Sequence, residues 1–203
     1  YPRILKDPER GAEATKLFND AQAMLKKIVA EKWLSARAVI GFWPANTQND
    51  DDMVVFADAT RTNSIGKFHS IRQQTEKPKG HYNVGLSDFL APEGNEFIGG
   101  FAVCTGYGID VKVAEFEKNH DDYGAILLKA LADRLAEAFA EHLHERVRKE
   151  YWGYAKDENL SNDDLIKEQY AGIRPAPGYP AQPDHTEKDL LFKLLDAEKQ
   201  IGL

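Results

Sequence analysis

The chain has 203 residues, 42% hydrophobic and 29% charged, which is enough for one large globular domain with a sizeable core. The formal net charge is −7, and the one dense basic run, residues 146–149, lies between Glu145 and Glu150, which disfavours a nucleic-acid surface. Cys104 is the only cysteine, so an internal disulfide and a cysteine-rich zinc site are excluded. We expect a cytoplasmic protein with neither a membrane span nor a signal peptide.

The chain begins with a predicted helix and a predicted hairpin. Apolar residues recur at three- and four-residue spacing over Gly11–Glu31, which predicts an amphipathic helix. A β-prone run at residues 36–43 is closed by Pro44, and a second run follows at residues 53–56. The acidic turn at residues 49–52 separates them, so two adjacent strands are expected.

A third core strand is predicted over residues 97–105, where Gly99 and Gly100 permit close approach of another element. The two segments before it are less regular. Residues 70–77 suit a helix or a rim segment, and residues 86–92 suit a loop or an edge strand.

The second half is predicted to be helical. Apolar residues keep helical phase without proline over residues 121–151, which predicts a long core helix. A shorter helix is expected over residues 163–170 with Ser161 as its N-cap, and another over residues 186–199. Strands in the first half and helices in the second indicate an α+β fold in a single domain.

The segment between the last two predicted helices, residues 174–188, carries most of the functional information. Four prolines there exclude helix and central strand, while Arg174, Tyr179 and His185 stand at defined offsets from proline and glycine. This composition favours a shaped loop over a linker. Its backbone groups and the Arg174 guanidinium suit a carboxylate or phosphate ligand. The alternative is a structural turn whose arginine pairs with a carboxylate.

Other candidates for chemistry have simpler interpretations. His142 and His144 are two apart on a helix and point in different directions, so they cannot share a metal ion. Residues 120–122 resemble paired metal ligands, but they stand where a helix cap is expected. Cys104 lies in an apolar strand and is expected to be a packed thiol, and residues 106–108 are expected to form a turn.

Two carboxylates remain as candidates. Glu137 lies between two alanines in the long helix, and Glu168 lies six residues before Arg174, on the helix predicted to lead into the loop. If both face the loop, an arginine and carboxylates would suit the zwitterionic end of an amino acid. The alternative is that they are solvated, or paired with Arg134 or Arg146.

The loop sequence Arg174-Pro-Ala-Pro-Gly-Tyr-Pro-Ala-Gln-Pro-Asp-His-Thr-Glu-Lys188 closely resembles the S-adenosylmethionine (AdoMet) binding loop in the activation domain of cobalamin-dependent methionine synthase. Further matches lie at residues 1–5, 72–77, 129–141 and 143–148. The resemblance covers essentially the whole chain. It implies an α+β domain in which a twisted antiparallel sheet packs with long helices and AdoMet binds in a shallow groove.

The resemblance also implies a function. The domain would serve a methyltransferase as its repair module: when the cobalt is oxidised to cob(II)alamin, an electron and the AdoMet methyl group restore methylcobalamin. The implied partners are a cobalamin-binding domain of the same polypeptide and flavodoxin or a flavoprotein reductase. Zinc would belong only to another domain of the intact enzyme. No nucleic-acid or membrane partner is implied.

Carried over residue by residue, the resemblance predicts that Arg174 holds AdoMet and that Ala176, Gly178 and Tyr179 line the groove. Glu137 and Glu168 match acidic residues of the same site. The AdoMet methyl is carried on a positively charged sulfur, so the protein must hold it aligned rather than supply a nucleophile. We therefore predict no catalytic residue and no metal ligand in this chain.

The family has an aspartate-bearing segment before this region and a tyrosine-bearing segment after it, and neither has a counterpart among residues 1–203. We therefore expect a fragment of a larger protein that lacks both flanks of the domain and is not catalytic alone. One alternative is a stand-alone AdoMet-binding or interaction module that has lost reactivation. An independent methyltransferase is disfavoured because the glycine-rich strand–loop–helix of the common methyltransferases is absent.

Overall fold

The computed structural model describes residues 3–202, which form an α+β fold on a four-stranded sheet with the strand order β3-β2-β1-β4. Strand β2 pairs antiparallel with both β1 and β3. The strands are β1 (Ser35–Gln48), β2 (Asp52–Phe56), β3 (Ser64–His69) and β4 (Phe97–Tyr107). The helices are α1 (Gly11–Glu31), α2 (Ile109–Lys118), α3 (Asp122–Arg146), α4 (Asn162–Ile166), α5 (Glu187–Leu195) and α6 (Ala197–Ile201). The predicted fold class is confirmed.

The chain divides into two compact units, and the first comprises residues 3–37 and 103–142. Its core is made by α1, α2 and α3, which bury Ile28, Val113, Ala125 and Leu128 together. The bounds of α1 are those the periodicity predicted. It ends where Lys32 takes a left-handed conformation, φ 53°.

The second unit comprises residues 38–102 and 143–202. The sheet contributes Ala45, Met53, Val55 and Phe68 to one buried cluster, against which the leucines of α5 pack. The close approach predicted for the strand glycines is confirmed. A Cβ added to Gly100 would lie 2.7 Å from a methyl of Leu191, and one added to Gly99 would lie 2.8 Å from the Trp152 ring. A second cluster joins β4 to α5 and α6.

The predicted hairpin is confirmed, but the strands are longer and more numerous than predicted. Strand β1 continues past Pro44 to Gln48, because the pairing with β2 begins only at Ala45 and needs no N–H from the proline. Strand β3 was not predicted, so residues 97–105 belong to a fourth strand rather than a third.

The helices also differ in extent. The long helix ends at Arg146, and a π-helical turn, Val147–Tyr151, follows. Helix α4 begins at the predicted N-cap, since Ser161 Oγ accepts from the N–H of Asp164, but it ends at Ile166. The helix predicted over residues 186–199 divides into α5 and α6 at Asp196, which has φ 50°.

One helix was missed, and two segments for which alternatives were left open are resolved by the structure. Helix α2 was missed: Gly108, expected to lie in a turn, is its left-handed N-cap, with φ 96°. Of the alternatives for residues 70–77, the helix is wrong, since the segment forms neither helix nor strand. Residues 86–92 form a loop rather than an edge strand, and the loop contains a short 3₁₀ turn, Leu86–Phe89.

The resemblance at residues 1–5 falls partly outside the described residues, which begin at Arg3. Within residues 3–202, none of the helices is both long and apolar enough to cross a membrane.

Candidate functional site

The proline-rich segment between α4 and α5 is an ordered loop whose first part is a β-turn. The N–H of Tyr179 donates to the carbonyl of Ala176 at 2.9 Å, which closes the turn over Pro177 and Gly178. Gly178 has φ 105°. Proline at the second position and a left-handed residue at the third are the requirements of a type II turn, so the sequence itself specifies this conformation.

A second turn follows at once. The N–H of Gln182 donates to the carbonyl of Tyr179 at 2.9 Å, and Pro180 occupies the second position. The N–H of Gly178 then donates to the carbonyl of Gln182 at 2.7 Å, which ties the two turns together. The carbonyl of Ala181 accepts from the N–H of Leu86 at 2.9 Å, so the double turn is also anchored to the 3₁₀ segment. The prediction of a shaped loop rather than a linker is confirmed.

Gly178 also permits close packing inside the loop. A Cβ added to it would overlap Cε1 of the His185 ring. Beyond His185, the carboxylate of Asp184 accepts hydrogen bonds from the N–H and the hydroxyl of Thr186, both at 2.8 Å, and these lead into α5. The pKa of Asp184 lies below its usual value because of these bonds.

The structure brings four of the predicted site residues together in this one loop. Arg174 and Ala176 are half-buried, whereas Gly178 is exposed and the Tyr179 side chain is 55% exposed. Over six residues the loop therefore contains the guanidinium of Arg174, the methyl group of Ala176, the exposed backbone of Gly178 and the exposed ring of Tyr179. A polar group and an apolar ring system on one small ligand would both find complements there.

Glu168 lies two residues beyond the end of α4, not on a helix as predicted. Its N–H donates to the carbonyl of Leu165 and that of Gln169 donates to the carbonyl of Asp164, both at 3.0 Å, while Glu168 itself has φ 55°. This is the Schellman pattern of helix termination, in which the left-handed position is usually glycine. The Glu168 side chain is exposed.

Glu137 is exposed on α3, in the first unit, whereas Glu168 and the loop belong to the second. Arg146, one of the alternative partners considered for it, forms its ion pair with Glu150 at 2.9 Å. The role of Glu137 stays a prediction.

The other candidates fall outside this loop. Asp121 Oδ1 accepts from the N–H of Gly124 at 2.8 Å, which confirms the predicted helix cap. Cys104 is a half-buried free thiol on β4. Among residues 3–202, no group of three or more histidine, cysteine, aspartate or glutamate side chains is placed to hold a metal ion.

The whole chain, residues 1–203, matches the family model described as vitamin B12 dependent methionine synthase, activation domain. The chain belongs to this activation-domain family. It is also similar to a solved structure described as the MetH reactivation domain bound to AdoHcy, with 56% sequence identity and a TM-score of 0.88. The similarity covers 100% of this chain and 62% of that chain, so the chain spans somewhat less than two thirds of that relative.

The activation domain also contains a buried polar cluster that the sequence did not reveal. Arg148, in the π-helical turn, is 0% exposed and donates to both carboxylate oxygens of Glu158 at 2.9–3.0 Å. Its Nη1 lies 2.8 Å from Nδ1 of His144, which is 4% exposed. The only sequence signal was the spacing of four residues between His144 and Arg148, which places both on one side of a helix.

Two perturbed pKa values mark this cluster. Burial, reinforced by the positive charges of Arg148 and Arg174, lowers the pKa of His144 to about 3. The hydrogen bond from Arg148 lowers the pKa of Glu158 below its usual value. The histidine is therefore neutral and the glutamate ionised at neutral pH. Because the charge of Arg174 reaches His144, the cluster and the loop of the activation domain are electrostatically linked.

Proposed function

We propose that this chain binds AdoMet through the double-turn loop and supports the reactivation of a cobalamin-dependent methionine synthase. The observation that carries the proposal is the loop itself, in which Arg174 precedes a type II turn that needs Gly178 and exposes Tyr179. The solved structure of the MetH reactivation domain is bound to AdoHcy, the product that remains when AdoMet gives up its methyl group. Its 56% identity over this whole chain supports the same ligand class here.

The residues present fit the ligand. Arg174 supplies a planar set of donors for the AdoMet carboxylate, and Glu168 supplies a carboxylate for its ammonium group. Ala176 carries only a methyl group and Gly178 is exposed, so the adenosyl moiety can approach the backbone of the loop on the side away from His185. Tyr179 presents an exposed ring that can cover an apolar surface. Glu137 is retained as a further acidic residue on the family resemblance alone.

The backbone conformation of Glu168 supports its role. A side chain in the left-handed region costs on the order of 1 kcal/mol relative to glycine, and this position of a Schellman motif is one where glycine is usual. A glutamate held there, exposed, gives no packing in return. We infer that its carboxylate is retained for binding, since strained positions are often functional.

The chain would hold the substrate rather than react with it. A cobalamin carried by another domain of the same polypeptide would supply the nucleophile, with an electron from flavodoxin or a flavoprotein reductase. Arg174 and Glu168 would fix the amino-acid end of AdoMet, and the rigid double turn would keep the sulfonium methyl exposed and aligned. No residue of this chain needs to take or give a proton. We place the reaction in the cytoplasm, and zinc in a separate domain.

The test is a methyl-transfer assay in the natural full-length polypeptide. With cobalamin in the cob(II)alamin state, a chemical reductant and methyl-labelled AdoMet, label should appear in the cobalamin. The Arg174→Ala variant should need a much higher AdoMet concentration for the same rate. Label transfer that is independent of Arg174 would refute the proposed site. AdoMet binding without any transfer would instead favour a module that has lost reactivation.

A further inference from the structure

The buried cluster forms a continuous connection between the end of α3 and the chain segment that leads to Arg174. Arg148 can only donate, so Nδ1 of His144 must be the acceptor and the histidine must carry its proton on Nε2. Nε and Nη2 of Arg148 donate to the carboxylate of Glu158, whose side chain is 10% exposed. The side chains of His144, Arg148 and Glu158 are thus fixed to one another.

The same cluster holds the residues just before Arg174. The guanidinium carbon of Arg148 lies over the Tyr170 ring, 4.6 Å from the ring centroid. The Tyr170 ring also meets the His144 ring edge-on, with the two centroids 4.8 Å apart. The backbone N–H of Ala171 donates to the carboxylate of Glu158. Tyr170 and Ala171 are therefore held through both side chain and backbone.

Tyr154 holds the same segment from a second direction. Its hydroxyl donates to the carbonyl of Ala171 at 3.3 Å. It also closes over Gly172, where an added Cβ would lie 3.1 Å from the same hydroxyl. Gly172 has φ 85°, so the chain turns there, two residues before Arg174.

Stability is a weak explanation for this arrangement. Replacing a buried ion pair by apolar side chains of similar size is often neutral or stabilising, so such pairs are better explained by the geometry they impose. The π-helical turn that carries Arg148 is a feature often found near functional sites. Arg146 and Glu150 nearby form an exposed arginine–glutamate ion pair, which is the common solvated kind. The burial of the Arg148–Glu158 pair is thus unusual even within this helix end.

We propose that His144, Arg148 and Tyr170 are positioning residues that hold the backbone before Arg174 and so place its guanidinium for the AdoMet carboxylate. The inference rests on the proposed function, since it assigns a role to groups behind the AdoMet site. None of the three needs to touch the ligand. They act through the Tyr170–Gly172 segment. We expect them to control how strongly the site prefers a ligand that carries a carboxylate.

The experiment compares two ligands in the natural full-length polypeptide. Dissociation constants are measured by calorimetry for AdoMet and for decarboxylated AdoMet, which lacks the group that Arg174 would bind. His144→Leu removes the acceptor for Arg148 at similar volume, and His144→Asn restores an acceptor near the position of Nδ1. Arg146→Met is the matched control, because Arg146 also bonds a glutamate and lies 4.7 Å from a tyrosine ring, that of Tyr151, yet is exposed.

We expect His144→Leu to weaken AdoMet binding about tenfold, as for the loss of one charge-assisted hydrogen bond, while decarboxylated AdoMet binds as to wild type. His144→Asn should recover most of the loss, and Arg146→Met should change neither ligand. A purely structural role would weaken both ligands alike, and that result would overturn the inference. Tyr170→Leu provides the same comparison if His144→Leu does not fold.

Arg174→Ala separates this inference from the proposed function. If Arg174→Ala loses AdoMet selectively but His144→Leu and Tyr170→Leu do not, the positioning role is wrong and the AdoMet site stands. If Arg174→Ala binds AdoMet like wild type, the proposed site is wrong and the positioning role falls with it.

Discussion

The imidazole of His185 packs against the backbone of Gly178 so closely that a methyl group at Gly178 would overlap ring Cε1 and lie 2.7 Å from Nε2. Gly178 also has φ 105°, a conformation that side chains rarely adopt. The left-handed φ therefore requires glycine at this point of the double turn, and the exposed His185 ring would have to swing away from an added methyl group.

Gly178→Ala should lower the free energy of unfolding by about 1–3 kcal/mol, which is the cost of the backbone strain, with a smaller added cost for moving the exposed His185 ring. It should also weaken AdoMet binding. Urea denaturation and calorimetry measure the two effects. Gly94→Ala is the matched control, because Gly94 has φ 98° but nothing within 4 Å of an added Cβ. Equal destabilisation by the two substitutions would show that the His185 contact is unimportant.

Glu168→Gly separates stability from binding at the end of α4. Glycine relieves the left-handed strain, so the free energy of unfolding should stay the same or rise by about 0.5–1 kcal/mol. AdoMet affinity should nevertheless fall, because the carboxylate proposed for the ammonium group is lost. Glu168→Gln should weaken binding too, without the gain in stability. If Glu168→Gly binds AdoMet as tightly as wild type, the carboxylate has no role in the site.

His144 should make the activation domain sensitive to acid. Its pKa is lowered to about 3 in the folded state, where it faces Arg148, Arg174 and Glu158. In the unfolded chain it titrates near its usual 6.5. Between about pH 3 and pH 6.5 the histidine is protonated only in the unfolded state. The contribution of His144 to stability is therefore greatest above about pH 6.5 and decreases as the pH is lowered below that value.

The difference in unfolding free energy between wild type and His144→Leu isolates this contribution, because the carboxylates are common to both proteins. From about pH 7.5 to about pH 5, wild type should lose roughly 2 kcal/mol more than the variant. Urea titrations at the two pH values measure it. Parallel losses would show that His144 titrates normally in the folded protein.

The sequence was sufficient where a local pattern determines the structure. The one-sided periodicity of residues 11–31 predicted α1, and the prolines of residues 174–188 predicted the loop, because both act through neighbouring residues. Ser161 was recognisable as an N-cap for the same reason. The family resemblance then supplied the ligand class, which composition alone left open.

Other features depend on contacts that no short pattern reveals. Arg148 lies in a basic run that looks like solvated surface, and its burial depends on Glu158, ten residues away in an irregular segment. The left-handed backbone of Glu168 was missed because helix ends of this kind usually contain glycine. Strand β3 was missed because most of its residues are exposed, so it lacks a clear alternating pattern.

We propose that Arg174 holds the carboxylate of AdoMet. Calorimetric titration of AdoMet into wild type and Arg174→Ala tests it most directly, with unfolding curves to show that both are folded. We expect Arg174→Ala to raise the dissociation constant at least about tenfold, the loss expected for a charge-assisted hydrogen bond. An unchanged dissociation constant in a folded Arg174→Ala protein would contradict it.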